Sequence, residues 1–245
     1  MKKMPHDFLA LALDNVSNPA QLTELVNATA ASIGVYKIGL EQFTRFGPPI
    51  LEVVRAAKRK IFLDLKFHDI PNTVAKAVES ACALGVDYLT IHTQGGIAMM
   101  RAAKTAAETA KKNMGAAPKI IGVTLLTSID DVALHRELGI AKTTGEYVCH
   151  LALQAVEAKL DGIVCSAADL HAVKPLLPIS FEIITPGIRP AGVSANDQKR
   201  IATPRQAIQN GATLLVLGRA ITEAQNPGKA AEEIVREISS KQPRP

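Results

Sequence analysis

The sequence has little of what marks secreted, zinc-binding or membrane proteins. Its 245 residues include no Trp, 4% aromatic residues and only three cysteines, Cys82, Cys149 and Cys165. These cysteines form no C-x-x-C pair, so we expect reduced thiols rather than disulfides or a zinc site. No apolar run approaches the roughly 18 residues that a membrane span needs. His6 and Asp7 also interrupt any early apolar segment of a secretory signal. These absences predict a cytoplasmic protein with no membrane partner.

The chain lacks any block of like charge, although its net charge is +5. A positive balance suits an anionic partner, which is either nucleic acid or a small phosphate ester. Nucleic-acid binding usually concentrates basic and aromatic residues on one stretch or face. Here the basic residues are spread along the chain. We therefore expect a small phosphorylated ligand and no nucleic-acid partner.

Short β-branched runs alternate with longer Ala-rich segments along the whole chain, which indicates repeated β-α units. A chain of about 250 residues with eight such units is typical of a (β/α)₈ TIM barrel. We therefore predict the α/β class and a single TIM-barrel domain over residues 1–245. The predicted strands span 8–14, 35–40, 60–67, 88–92, 119–126, 162–165, 182–186 and 214–218.

Helices are expected between these strands, several of them beginning at or beside a proline. No Gly/Ser-rich linker divides the chain, and only the tail at about 241–245 is expected to be loose. The segment 187–203 is longer than the usual loop of 2–6 residues and has the composition of a mobile lid. The predicted helices span 19–32, 48–57, 71–84, 97–113, 145–159, 168–177, 204–210 and 227–240.

The third predicted strand carries the strongest chemical signal. Asp64 and Lys66 are two residues apart, so both should point into the barrel near its carboxyl end, and Asp69 follows in the loop. Burying such charges is costly, and the alternative interpretation is a structural ion pair. Polar residues within or directly after other strands favour a functional site, because barrel enzymes place their chemistry at this rim. These residues are Asp14, Lys37, His92, Thr127 and Arg219.

The last two loops have the pattern of a phosphate site. Barrels often bind phosphate with the loops after strands seven and eight. Gly187 and Gly218 allow close backbone approach, and Arg219 offers two parallel donors to phosphate oxygens. Exposed N–H groups at the start of the helix after Arg219 would complete this site.

These residues together resemble the orotidine 5′-phosphate decarboxylase family. The most specific segment is 64–73, which reads D-L-K-F-H-D-I-P-N-T and resembles the family's D-x-K-x-x-D-I-P-N-T signature. Supporting segments are Y-K-I-G at 36–39, V-T-L-L-T-S at 123–128, T-P-G-I-R at 185–189 and D-Q at 197–198. One departure is T-Q at 93–94, where the family commonly has a small residue after the histidine.

The resemblance implies conversion of orotidine 5′-monophosphate to uridine 5′-monophosphate in pyrimidine biosynthesis, without a metal or organic cofactor. It also implies a homodimer in which Asp69 and Thr73 reach into the neighbouring site. Lys66 would be the proton donor, flanked by Asp64 and Asp69. The substrate-binding residues implied are Asp14, Lys37 and Thr73 for the ribose, Thr127 and Pro186 for the pyrimidine, and Arg189, Gln198, Gly218 and Arg219 for the phosphate.

Two other functions stay open at this point. A magnesium-dependent sugar-phosphate decarboxylase or aldolase would share the Asp-x-Lys-x-x-Asp strand, but Lys37 on the adjacent strand would repel a cation. A non-catalytic phosphosugar- or nucleotide-binding protein would need the phosphate contacts, but it has no use for a lysine between two carboxylates.

Overall fold

The computed structural model describes residues 3–189 and 202–240. Asp197, Gln198, most of the segment 187–203 and the tail 241–245 therefore lie outside the described residues. None of the helices within the described ranges is both long and apolar enough to cross a membrane.

Eight parallel strands close into one barrel in their chain order within the described residues. This arrangement confirms the predicted (β/α)₈ fold. The strands are β1 (Leu9–Ala12), β2 (Val35–Gly39), β3 (Lys60–Phe67), β4 (Tyr88–His92), β5 (Lys119–Val123), β6 (Gly162–Val164), β7 (Glu182–Thr185) and β8 (Leu214–Leu217). Several predicted strands extended too far at their carboxyl ends, because the rim residues leave the ladder there.

The connections contain more helices than the sequence pattern predicted. The described helices are α1 (Pro19–Thr29), α2 (Leu40–Phe46), α3 (Leu51–Ala56), α4 (Pro71–Cys82), α5 (Gly96–Met114), α6 (Asp131–Arg136), α7 (Thr144–Glu157), α8 (Leu170–Val173), α9 (Pro204–Gln209), α10 (Arg219–Thr222) and α11 (Pro227–Ser239). We did not predict α2, α6 or α10, since four to seven residues show too little of the 3.6-residue period. The predicted helices 48–57 and 168–177 each prove to be a short α-helix joined to a 3₁₀ turn.

Local capping explains where the main helices begin. The side chains of Asn18 and Asn226 accept hydrogen bonds from the N–H groups of Gln21 and Lys229, and a proline follows each cap. Thr143 and Glu146 form a reciprocal capping box at the start of α7. Each cap satisfies N–H groups that the first helical turn leaves unpaired.

Two apolar layers fill the barrel and surround it. The helices pack on the outer faces of the strands, where aliphatic residues such as Leu11, Ile38 and Leu63 are completely buried. The barrel interior is packed by its own inward side chains, so the open space lies at the carboxyl ends of the strands. The interior cluster consists of Ala10, Ala12, Val35, Phe62, Tyr88, Ile121, Ile184, Leu214 and Val216.

Candidate active site

A cavity of about 470 Å³ opens at the carboxyl ends of the strands. Its floor is the top of the packed barrel interior, including Phe62, Ile184 and Val216. The predicted site residues that line the cavity are Asp14, Lys37, Asp64, Lys66, Thr127, Pro186, Arg189, Gly218 and Arg219. The fold therefore brings together residues from both halves of the chain on one rim.

Charges alternate in an array along the first three strands. The Nζ of Lys37 lies 3.2 Å from Oδ2 of Asp14 and 3.4 Å from Oδ2 of Asp64. The Nζ of Lys66 donates to the same Asp64 oxygen over 2.7 Å. Asp64 thus lies between two lysines, and its side chain is only 9% exposed. Alternation lets each charge compensate its neighbour in a place with little water.

A glycine makes room for the first part of this array. A Cβ on Gly39, at the end of β2, would lie 2.9 Å from Oδ1 of Asp14 and 3.2 Å from the Nζ of Lys37. Both distances are shorter than van der Waals contact. The absence of a side chain at Gly39 therefore allows Lys37 and Asp14 to meet.

The backbone of β3 is irregular where it presents Lys66. Leu63 pairs with Leu89 and Phe67 pairs with Ile91, so four steps along β3 match two along β4. Lys66 has a φ of 50°, in the left-handed region. The predicted face is correct, because Asp64 and Lys66 meet, but a bulge and not simple strand alternation sets the final position of Lys66.

The pKa of Asp64 is lowered in this environment. Burial by itself would raise it, but the positive charges of Lys37 and Lys66, together with hydrogen bonds from Lys66 and Thr90, outweigh burial. Asp64 therefore remains an anion at neutral pH. The pKa of His92, at the end of β4, is lowered by burial first and then by His68 and Lys66, so this imidazole is neutral at pH 7.

The ends of β7 and β8 form the part of the cavity rim that continues from β1. Arg189 is buried, whereas Arg219 is half-buried at the first position of α10. A Cβ on Gly218 would meet no atom within 4 Å, so the missing side chain leaves open space over this part of the cavity. Two guanidinium groups beside an open glycine provide forked donors suited to an oxyanion such as phosphate.

Two predicted site residues of the described chain do not line this cavity, and a third prediction cannot be placed against it. Asp69 and Thr73 are exposed, and neither is among the described residues that line it. Of the two carboxylates assigned to Lys66, Asp64 alone contacts it here. Gln198 lies outside the described residues.

Thr90 was not among the site residues predicted from the sequence. This residue is completely buried in β4, and its hydroxyl contacts both Asp64 and the backbone of Lys66. A polar residue inside the apolar run Tyr88–His92 was the available signal, similar to the one that identified Lys37 in β2.

Thr93, which departs from the small residue common in the family, does not alter the cavity lining. It is completely buried, and its hydroxyl donates to the carbonyl of Val123 over 2.9 Å. A Cβ on Gly122 would lie 2.6 Å from Cγ2 of Thr93, so the two residues fit each other. Thr93 is therefore a packing residue beneath the rim.

The fold and the site together define a TIM-barrel enzyme whose cavity is lined by an alternating lysine–carboxylate array and by two arginines that follow β7 and β8. The sequence profile described as "Orotidine 5'-phosphate decarboxylase / HUMPS family" matches residues 7–234. The chain belongs to this family.

Relatives and solved structures agree with this assignment. The chain is 45% identical to a protein of Moorella thermoacetica and 44% identical to one of Syntrophus aciditrophicus, each named orotidine 5'-phosphate decarboxylase. These alignments cover 95% and 94% of this chain and 92% of each relative. The crystal structure of orotidine 5'-phosphate decarboxylase from Lactobacillus acidophilus superposes with a TM-score of 0.82 at 33% identity, covering 95% of this chain and 99% of that one. The crystal structure of an uncharacterized conserved protein from Geobacillus kaustophilus also superposes with a TM-score of 0.82. It is 32% identical, and the match covers 94% of this chain and 100% of that one.

Proposed function

We propose that this chain decarboxylates orotidine 5′-monophosphate to uridine 5′-monophosphate and carbon dioxide, a step of pyrimidine biosynthesis, with Lys66 as the proton donor. The observation that carries the proposal is the ion pair of Lys66 and Asp64 at the cavity rim, where Nζ and Oδ2 are 2.7 Å apart. An ammonium held at a fixed point above an apolar floor can meet negative charge that develops on a bound substrate.

The reaction breaks the bond between the pyrimidine ring and its carboxylate. The electron pair stays on the ring carbon, and no carbonyl group is placed to delocalise it. The ammonium of Lys66 stabilises this carbanion and then gives it a proton, which forms the new carbon–hydrogen bond. Carbon dioxide leaves, and Lys66 regains a proton from water. Asp64 keeps the ammonium oriented, because it is anchored by Lys37 and Thr90 as well.

Contacts far from the reacting carbon would contribute to catalysis by binding the phosphate of the substrate. Arg189, Gly218 and Arg219 line the cavity beyond the apolar floor, and we assign the phosphate to them, together with Gln198. Binding energy gained at a non-reacting group can hold the ring against Lys66. We assign the ribose to Asp14 and Lys37, and the pyrimidine to Thr127 and Pro186.

Lys37 also argues against a metal-dependent sugar-phosphate reaction. A divalent cation at this rim would need the carboxylates of Asp14 and Asp64 as ligands. Both carboxylates already face the ammonium of Lys37, at 3.2 Å and 3.4 Å. A second positive charge between them would be repelled.

The test follows the ultraviolet absorbance change of orotidine 5′-monophosphate with purified protein in excess EDTA. We expect rapid conversion by the wild type and loss of activity in Lys66→Ala. Lys76→Ala, which removes a lysine with a 68% exposed side chain on α4, is the matched control and should remain fully active. Tight nucleotide binding without conversion by folded wild type would replace the proposal with a binding function. Activity that EDTA abolishes would favour the metal-dependent reaction.

We further propose that the active unit is a homodimer whose sites are completed by Asp69 and Thr73 of the partner subunit. Both residues are exposed on the carboxyl face, in the loop and first turn that follow β3. Two exposed apolar side chains also follow strand ends on this face, Ile70 (67% exposed) after β3 and Leu40 (53% exposed) after β2. A second copy covering this face would bury the apolar side chains and bring Asp69 towards a neighbouring site.

Mixing two inactive variants tests this shared site. Lys66→Ala and Asp69→Ala should each be inactive alone. In a hybrid dimer, however, one site carries both defects and the other carries none. Random subunit exchange should therefore restore about a quarter of the wild-type activity. No recovery, despite exchange demonstrated by mass spectrometry of the mixed dimers, would show that each chain completes its own site.

We place the reaction in the cytoplasm, because the three free thiols suit a reducing compartment. Fractionation of the source cells with an antibody against the chain tests this location.

A further inference from the structure

Lys66 occupies a backbone conformation that its sequence does not favour. Its φ of 50° lies in the left-handed region, where a residue with a Cβ is crowded by its own carbonyl. The register shift between Leu63 and Phe67 also removes Lys66 from the regular ladder with β4. Its conformation must therefore be held by contacts other than strand pairing.

Thr90 provides such a contact. Its Oγ1 accepts a hydrogen bond from the backbone N–H of Lys66 over 2.9 Å and donates one to Oδ1 of Asp64, also over 2.9 Å. The residue is completely buried in the middle of β4. Because a hydroxyl has one proton, donation to the carboxylate leaves its lone pairs for the amide of Lys66. One side chain thus fixes the backbone of the proton donor and the carboxylate that orients its ammonium.

We infer that Thr90 is a positioning residue for the decarboxylation, which holds Lys66 and Asp64 in the geometry from which the proton is delivered. This inference rests on the proposed function.

The division of the Asp64 oxygens explains why one hydroxyl matters. Oδ1 accepts the hydrogen bond from the Thr90 hydroxyl. Oδ2 lies 2.7 Å from the Nζ of Lys66 and 3.4 Å from the Nζ of Lys37. Rotation about the terminal bond of an aspartate is soft, so a carboxylate without a contact at Oδ1 can turn. Turning would move Oδ2 away from Lys66. At the same time the backbone N–H of Lys66, within the bulge, would lose its hydrogen-bond acceptor.

The experiment compares Thr90→Val with Thr90→Ser in the turnover of orotidine 5′-monophosphate. Valine has nearly the same shape but no hydroxyl, whereas serine keeps the hydroxyl. We expect Thr90→Val to lower kcat by about 30- to 100-fold with KM changed less than about threefold, since small misplacements of a reacting group cost that much. Thr90→Ser should restore kcat to within about threefold of the wild type.

Thr29→Val is the matched control. Thr29 is also a buried threonine and is the last residue of α1. Its hydroxyl is hydrogen-bonded to the Leu25 carbonyl and to the Tyr36 hydroxyl. Its replacement should lower the unfolding midpoint without changing kcat. If Thr90→Val keeps wild-type kcat, or if serine fails to rescue it, the inference is overturned.

A crystal structure of Thr90→Val separates this inference from the proposed function. Should the wild type not convert orotidine 5′-monophosphate, the proposed function fails by itself, and the structure of the variant then decides about Thr90. A Lys66 φ that returns to the extended region, or loss of the contact between Lys66 and Asp64, would support its positioning role. An unchanged bulge and ion pair would refute it.

Discussion

Lys66 reaches Asp64 from a backbone in the left-handed region, and their Nζ and Oδ2 atoms are 2.7 Å apart. The two residues are adjacent on the same side of β3, yet the strand must bulge to bring them together. Active sites often keep such strained residues, because the surrounding structure holds them in place. The position of Lys66, the proposed proton donor, therefore depends on neighbouring strands as much as on its own.

Loss of the Asp64 charge should change stability in a pH-dependent way. Asp64→Asn removes the anion between Lys37 and Lys66, so we expect a loss of about 1–3 kcal/mol in the free energy of unfolding at pH 7. The pKa of Asp64 is lowered in the folded state. Its stabilisation is therefore complete above the ordinary carboxyl value of about 3.9 and disappears as the pH falls through the folded-state value.

Urea unfolding of wild type and Asp64→Asn at pH 7, 5, 4 and 3 measures this effect. The difference between the two should be constant from pH 7 to 5 and should shrink in stronger acid. Glu52→Gln, at a 67% exposed carboxylate on α3, is the control and should differ little from the wild type at any pH. An equal difference at pH 7 and pH 3 would contradict the assigned charge state.

Removal of Arg219 should act through the phosphate. We expect Arg219→Ala to reduce kcat/KM for orotidine 5′-monophosphate by about 100-fold or more, because charge-assisted forked bonds are strong. The nucleoside orotidine has no phosphate, so the variant and the wild type should convert it equally slowly. Arg236→Ala, at a 72% exposed arginine on α11, is the control. Unchanged kinetics in natively folded Arg219→Ala would remove Arg219 from the site.

A methyl group at Gly39 should disturb the array without unfolding the barrel. The backbone of Gly39 has a φ of −92° and a ψ of −176°, which alanine also adopts. The new Cβ would displace the carboxylate of Asp14 and the ammonium of Lys37, which are the ends of flexible side chains. We expect kcat/KM to fall by about tenfold and stability to change by less than about 1 kcal/mol.

Gly145→Ala is the control for this substitution, since a Cβ there meets nothing within 4 Å. Steady-state kinetics and thermal unfolding of both variants provide the comparison. A fully active Gly39→Ala would mean that the contact between Asp14 and Lys37 is dispensable.

Gly122 and Thr93 should be energetically coupled. Gly122→Ala places a Cβ 2.6 Å from Cγ2 of Thr93 and 2.9 Å from Cδ1 of Leu160, which should cost about 1–3 kcal/mol through overpacking. Thr93→Ala in the same chain removes the first clash. A double-mutant cycle by urea unfolding should give a favourable coupling of at least about 0.5 kcal/mol. Strict additivity would show that Leu160 alone limits this site.

The alternation of strands and helices could be predicted from the sequence, because each element carries its own hydrophobic period. All eight strands are present, as are the longer helices. The short helices α2, α6 and α10 were missed for the same reason, since they are too brief to show a period. The loop after β7 could be located, but Gln198 within it lies outside the described residues.

The site was predictable where its residues are close in sequence. Strand alternation places Asp64 and Lys66 on one face, although a bulge sets the final position of Lys66. Arg189 and Arg219 could be placed on the rim because each follows a strand whose place in a barrel is known. Thr90 gave only the weak signal of one polar residue in an apolar strand. Its two hydrogen bonds depend on how β3 is shifted against β4.

The sequence by itself thus determined the barrel and the charged third strand, because these follow from local period and residue chemistry. Only the tertiary structure decided that Lys37 lies between Asp14 and Asp64, that β3 bulges at Lys66, and that Thr93 packs on Gly122. These contacts join different strands. They depend on register and close packing, which the whole core sets at once and which no single segment encodes.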